Sequence, residues 1–162
     1  MKCIPWRMPA RVLAVDDEPD ILLAMRAFFE GEIPMEFLTA PSGVEALEIM
    51  RTTPVDLVIS DYRMPVMDGL QFLRRAGKLY PDVPRVLITA FPDIQLAGAA
   101  VNEAKVAKLL TKPLEPAVLA KTVRDLLETS QRQRLGREAL RRSTSSGATG
   151  SPGKPPRAPP VS

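Results

Sequence analysis

Asp61 closes an apolar run, Val55-Asp56-Leu57-Val58-Ile59-Ser60, and the pair Asp16 and Asp17 closes another, Val12-Leu13-Ala14-Val15. Lys112 and Pro113 follow a third, Val106-Ala107-Lys108-Leu109-Leu110-Thr111. If these runs are parallel strands of one sheet, three carboxylates and one ammonium meet in one crevice. Carboxylates held that close raise one another's pKa unless a cation intervenes. Magnesium suits such a site, because it takes a few carboxylates, keeps waters and completes its octahedron with a phosphate oxygen. It would also offset the charge of an incoming phosphoryl donor, so that an Asp61 oxygen could attack phosphorus in line. Lys112 can pair with a carboxylate before transfer and with a phosphoryl oxygen afterwards. Thr89, closing the run Arg85-Val86-Leu87-Ile88, offers a movable hydroxyl donor. A phosphorylated aspartate is an established kind of covalent intermediate. Each feature alone reads equally well as a solvated turn, a surface threonine or a loop lysine. Their joint placement at strand ends is what points to a site.

The elements needed to hold these groups are written in the alternation of apolar runs and helical patterns, which repeats five times and marks a βαβ succession with a parallel sheet. Strands are expected at residues 11–15, 35–39, 55–60, 84–89 and 105–111. Pro19 suits the first turn of a helix, where its missing N–H has no partner to lose. Ile21, Leu22, Met25, Phe28 and Phe29 follow at helical spacing and should face the sheet. Ser42 should cap a second helix carrying Val44, Leu47, Ile49 and Met50, and Asp68-Gly69 should break the chain before a third. A fourth helix over residues 92–102, rich in Ala and containing Gly98, should be the least rigid. The fifth starts at Glu115-Pro116 with Val118, Leu119, Val123, Leu126 and Leu127 on its buried side. A sheet of this kind takes ligands outside the carboxyl ends of its strands, where the strand order reverses.

Composition narrows the chemistry. The 162 residues include one cysteine and no histidine, which excludes an internal disulfide, Ser-His-Asp catalysis and any zinc site not built from carboxylates. Any phosphohistidine must therefore belong to a partner. No apolar stretch approaches the ~20 residues that span a bilayer. The first nine residues carry prolines and Arg7 where a signal peptide has its apolar centre, so they read as an irregular arm and the protein as cytoplasmic. Residues 129–162 hold seven basic groups against Glu138, leaving 15 basic and 18 acidic in the rest. A mildly acidic body thus wears a basic tail, partly helical at first. From Arg142 onward Ser, Thr, Gly and Pro dominate, a composition expected to stay disordered.

Taken together, Asp16-Asp17-Glu18, Asp61-Tyr62-Arg63-Met64-Pro65-Val66-Met67-Asp68-Gly69, Thr89-Ala90 and Thr111-Lys112-Pro113 closely resemble the receiver domain of two-component response regulators. The resemblance covers residues 10–128. It implies a flavodoxin-like doubly wound α/β fold, a five-stranded parallel sheet of order 2-1-3-4-5, and Asp61 as phosphoacceptor. Asp17 would then bind Mg2+ directly and Asp16 largely through water, with Asp61 and the backbone carbonyl of Arg63 completing the protein's ligands. Lys112 would contact the phosphoryl group and join Pro113 by a cis peptide, and Thr89 would be the switch hydroxyl. The implied partners are a histidine kinase or phosphotransfer protein, and a downstream protein that reads the face of the fourth helix, fifth strand and fifth helix. A second copy of the chain is a further candidate. The wording around Asp61 and of Asn102-Glu103-Ala104-Lys105-Val106 is similar to receivers joined to cyclic-dinucleotide phosphodiesterases and to hydrogenase-type regulators.

One departure matters. Receivers commonly carry Tyr or Phe three residues before the lysine, and this chain has Leu109. Coupling must then run through Thr89 and the loop after the fourth strand, or be weak. Arg63 and Phe91 lie two residues after Asp61 and Thr89, where side chains can shield or guide hydrolytic water. Phe91 offers water no polar handle, which predicts slow self-dephosphorylation. The residues after position 128 have no room for an output domain, so the chain reads as a stand-alone receiver or as part of a longer regulator. Two other readings compete. A phosphatase of the haloacid dehalogenase type needs a second Asp two positions after a strand-one nucleophile, where this chain has Glu18. A phosphorylation-insensitive interaction module would use the basic tail to bind an acidic partner; nucleic acid is disfavoured because the tail has no aromatic residue to stack on bases.

Overall fold

The structure is a computed structural model and describes residues 9–146. Five strands and five helices alternate: β1 (Ala10–Val15), α1 (Pro19–Glu32), β2 (Met35–Ala40), α2 (Gly43–Thr52), β3 (Leu57–Asp61), α3 (Gly69–Leu79), β4 (Arg85–Thr89), α4 (Ile94–Asn102), β5 (Lys108–Thr111) and α5 (Pro116–Ser146). All strand pairs are parallel and the order is β2-β1-β3-β4-β5, the flavodoxin-like arrangement expected. Both faces of the sheet are covered, which is why β3 and β4 are buried at every residue. Val12, Ala14, Leu57, Ile59, Val86 and Ile88 face a cluster completed by Leu22, Met25 and Phe29 of α1 and Leu119, Val123 and Leu127 of α5. Leu13, Val15, Val58 and Leu87 face the other side, with Ala46 and Met50 of α2, Phe72 and Leu73 of α3, and Leu96 and Ala100 of α4.

Several boundaries moved for identifiable reasons. The third strand begins at Leu57, and Asp56 just before it ties to β1 by its side chain: its carboxylate takes the Arg11 N–H at 2.8 Å. The fourth helix starts at Ile94 because Asp93 caps it, accepting from the Leu96 N–H at 2.6 Å. The fifth strand starts at Lys108, since Lys105 turns into the left-handed region at φ 49°. Ser42 caps α2 as read from the sequence, and Asp68 and Gln71 form a reciprocal capping box on α3. Val118, expected on the buried side of α5, is exposed; Leu119, Ala120, Val123 and Leu127 define the buried stripe, and Val118 lies outside it.

The described residues up to Gln131 form one compact unit and those from Arg132 a second. Within the second, the helix continues to Ser146 and its described side chains from Leu135 onward are exposed. The irregular arm expected at the N-terminus and the disordered end of the tail fall largely outside the described residues. Among the described residues no helix is long and apolar enough to cross a membrane.

Candidate functional site

The strand order reverses between β1 and β3, because the chain leaves β1 for β2 on one side and returns to β3 on the other. A crevice opens there at the carboxyl ends. Asp16 is the first residue after β1. Its N–H donates to the Ala40 carbonyl at 3.2 Å, which continues the ladder with β2, and its Oδ1 accepts from the Glu18 N–H at 2.9 Å. Asp61 ends β3 itself and lies opposite Ile88 in register. The Lys112 N–H donates to the Thr89 carbonyl at 2.8 Å, extending the β4–β5 ladder by one residue and delivering the lysine to the rim.

These placements bring the expected groups together. Carboxylate oxygens of Asp16, Asp17 and Asp61 all lie within 4.8 Å of one another. The Lys112 Nζ stands 3.0 Å from Asp61 Oδ1. Asp16 and Asp61 are buried while Asp17 is exposed, so the cluster has two carboxylates in the wall and one at the mouth. Burial pushes the Asp16 carboxyl up to about 6, with the charges of Asp61 and Asp17 adding to it and the Glu18 N–H and Lys112 opposing it. Burial works against the Lys112 ammonium, but its hydrogen bond to Asp61 and the charges of Asp61, Asp16 and Glu18 outweigh that and hold its pKa above the ordinary lysine value.

A raised acid beside other acids is a site short of positive charge. The donors are hard oxygens at short separation with water access at Asp17, and this fits a magnesium ion better than a softer metal. The side chain of Arg63 is not part of this set: its guanidinium lies over the Phe91 ring, 5.4 Å from the centroid. Any contribution of Arg63 to a metal is thus through its main chain. Thr89 is buried, one residue beyond the partner of Asp61, and its Oγ1 accepts from the Phe91 N–H at 3.2 Å. The Lys112–Pro113 peptide is cis, as the resemblance implied.

The family described as response regulator receiver domain matches residues 12–124. The chain belongs to this family. The receiver domain is 40% identical over 124 residues to the transcriptional regulatory protein GlrR of Escherichia coli, covering 75% of this chain and 27% of that protein. It is 35% identical over 119 residues to the hydrogenase transcriptional regulatory protein HoxA of Cupriavidus necator, covering 74% of this chain and 24% of HoxA. It therefore spans about a quarter of the length of these relatives. Among solved structures, a signal receiver domain of an HD domain-containing protein from Pseudomonas fluorescens superposes with a TM-score of 0.73 at 31% identity, covering 76% of this chain and 98% of that one. A CheY-like receiver from Methanospirillum hungatei gives 0.74 at 25%, covering 77% and 98%. The similarity to hydrogenase-type regulators read from the sequence is met by HoxA, and that to cyclic-dinucleotide enzymes by the cyclic di-GMP phosphodiesterase response regulator RpfG of Xanthomonas campestris, 35% identical over 123 residues.

Two residues of the receiver domain matter to the site and were read only in part. Gly69 was seen as a chain breaker, yet its backbone is not in a left-handed conformation. What it provides is proximity: a Cβ there would stand 2.0 Å from the Asp61 carbonyl oxygen. The Gly69 N–H donates to the Tyr62 carbonyl at 2.7 Å, folding the loop back over the end of β3. Arg85 was read as an ordinary strand residue. It is buried and donates to the carbonyls of Val83, Ala104 and Lys105 at 2.9, 3.1 and 3.1 Å. Gly69 closes the motif that begins at Asp61, but its role depends on which backbone lies opposite; no motif marks Arg85.

Proposed function

We propose that this receiver domain accepts a phosphoryl group on Asp61 from a phosphohistidine of a histidine kinase or phosphotransfer protein. The observation that carries the reading is Asp61 held at once in a three-carboxylate cluster and against Lys112. In the transfer, an Asp61 oxygen forms a bond to phosphorus as the donor's N–P bond breaks, and the released imidazole nitrogen takes a proton from solvent. Lys112, already on Asp61 Oδ1, moves its ammonium onto a phosphoryl oxygen and keeps its charge throughout. Asp16, Asp17, Asp61 and the Arg63 carbonyl would hold Mg2+, which when bound supplies neutralisation of phosphoryl charge. Thr89 turns its hydroxyl from the Phe91 N–H toward the new group. The chain assists only its own phosphorylation and dephosphorylation and acts in the cytoplasm, switching protein contacts through α4, β5 and α5. The relatives GlrR and HoxA, both transcriptional regulatory proteins, support transcription as the process served when an output domain is attached.

Intact-mass measurement after incubation with acetyl phosphate and Mg2+ tests this. One added phosphate, absent without Mg2+ and absent in Asp61→Asn, is the expected result. An unmodified wild-type mass, or modification that survives in Asp61→Asn, would reject it.

A further inference from the structure

A cavity of about 320 Å3 opens on the face of the sheet that α1 and α5 cover, between Ile21, Ala24 and Phe28 of α1 and Pro113, Leu114 and Leu119 around the start of α5. Its size and chemistry restrict what can fill it. An apolar cavity of roughly 150 Å3 takes a benzene ring, so this one takes a larger aromatic group but not the cylinder of a whole helix. Of the described residues that line it, Lys112 alone has a charged side chain, and its ammonium is already on Asp61 Oδ1 at 3.0 Å. Small-molecule sites orient their ligand with a few placed polar groups, which this wall does not offer. The occupant that fits is an apolar side chain delivered by a polypeptide.

The chain carries such a side chain within reach. Trp6 is its one tryptophan, set among Ile4, Pro5 and Met8 in the eight residues that precede the described ones. These eight join the fold through Pro9 at the start of β1, on the face that holds the cavity: Ala10 shares a core cluster with Leu22, Met25 and Leu119, and Ile21, Phe28 and Leu114 pack against it. Ala10 pairs with Met35, just past the end of α1 at Glu32, and Phe28 lies about one helical turn, ~6 Å, above that end. Four extended residues span about 13 Å, which carries Trp6 from Ala10 to the level of Phe28. A second cavity, lined by Met50, Val55, Tyr80 and Val83, belongs to the cluster on the opposite face of the sheet. Charge agrees with the first: Arg7 follows Trp6, and the exposed Glu32 stands four residues beyond Phe28 on the same edge of α1.

We propose that residues 1–8 fold back over this cavity of the receiver domain and that Trp6 fills it, with Arg7 beside Glu32. The flank of the crevice next to Lys112 is then covered by the chain itself. A protein that docks on this flank must first displace Trp6, while the mouth of the crevice at Asp17 stays open. Phosphorylation of Asp61 is not required for the cover to form.

Fluorescence of the one tryptophan in the full chain tests this. Its emission should be blue-shifted from that of N-acetyltryptophanamide and protected from acrylamide quenching. Ala24→Glu puts a charge into the cavity wall at an exposed helix position that accepts glutamate readily. The blue shift and the protection should then be lost while the thermal melt stays cooperative. A second measurement leaves the cavity wall intact: in a Cys3→Ser background, a nitroxide at Leu23→Cys, beside the cavity, should quench Trp6, and one at Val44→Cys on α2 should not. Both labelled positions are exposed. Wild-type emission like that of the free amide, protection that survives Ala24→Glu in a folded protein, or equal quenching from the two labels would each overturn the proposal. Protection that disappears on dilution as a dimer dissociates would overturn it as well, and would assign the cavity to a second copy of the chain.

Discussion

The Arg63 guanidinium lies over the Phe91 ring, 5.4 Å from its centroid, and so joins the loop that follows Asp61 to the loop that follows Thr89. The sequence placed these residues two positions after Asp61 and Thr89; the structure adds that they touch. A cation over an aromatic face is held by the ring's quadrupole, and here it keeps the Phe91 ring, which has no polar handle for water, against the Arg63 side chain. Phosphorylated Asp61 should therefore hydrolyse slowly. Phe91→Ser removes the ring and lets Arg63 swing free, and the acylphosphate half-life should fall about tenfold, equivalent to ~1.4 kcal/mol in the barrier. Following the decay of the phosphorylated mass after removing the donor is the check. An unchanged half-life removes Phe91 from the account.

The pH dependence follows from Asp16. Its pKa is raised from 3.8 to about 6, first by burial and then by its acidic neighbours. An acid whose pKa is higher in the folded chain stabilises that chain when protonated, and the contribution is lost as pH rises from about 4 through about 6. The metal-free protein should melt at a lower temperature at pH 7.5 than at pH 5, through this group. Magnesium must displace the same proton, so its Kd should be roughly tenfold weaker at pH 5 than at pH 7.5. Asp16→Asn should flatten the metal-free melting trend across that range. Calorimetric titration and thermal melts at the two pH values decide it, and a magnesium affinity independent of pH would contradict it.

Gly69 is the point at which the loop carrying Asp68 crosses the end of β3, with a Cβ position 2.0 Å from the Asp61 carbonyl oxygen. Backbone cannot yield as a flexible side chain does, so Gly69→Ala must displace either the loop or Asp61. Overpacking of this kind costs about 1–3 kcal/mol. Since the displaced atom belongs to Asp61, the proposed phosphoacceptor, Gly69→Ala should weaken magnesium binding as well as stability. Urea melts and magnesium titration on one variant measure both, and a loss of stability with full magnesium affinity would show that Asp61 did not move.

What was legible in advance follows a physical division. The fold was readable because a parallel sheet covered on both faces demands continuous apolar runs, and Leu57 to Ile59 and Val86 to Ile88 are such runs. The cluster of Asp16, Asp17, Asp61 and Lys112 was readable because strand ends are where such runs stop. Val118 was misplaced because apolarity alone does not say which of two adjacent helix positions faces the sheet. Arg85 stayed hidden for the opposite reason: a charged residue inside an apolar strand is tolerated only through backbone carbonyls brought from residues 104 and 105, which no local pattern announces.

That hidden role makes Arg85 a test of the base of the sheet. Arg85→Met keeps much of the volume but leaves the carbonyls of Val83, Ala104 and Lys105 without this donor. Unsatisfied buried acceptors cost about 1–3 kcal/mol each when water cannot reach them. Partial hydration of the Lys105 carbonyl, which is only part-buried, reduces the sum, so a loss of about 2–4 kcal/mol is expected in urea melts. A loss below ~1 kcal/mol would mean that the guanidinium merely fills space.

Val66 presents the converse case, a residue the fold would gain by losing. It sits at φ 70° and is fully exposed in the loop between Asp61 and Gly69. A β-branched side chain in the left-handed region clashes with its own backbone at a cost of about 1–2 kcal/mol, and no burial offsets it here. Val66→Gly removes the clash, while the extra freedom of glycine in the unfolded chain returns part of the gain. A net stabilisation of about 0.5–1 kcal/mol is expected, with magnesium affinity unchanged because the side chain points to solvent. If Val66→Gly is instead less stable, the loop relaxes its backbone in solution. If it is more stable but is phosphorylated more slowly by a cognate kinase and normally by acetyl phosphate, the exposed valine is retained for contact with the donor protein.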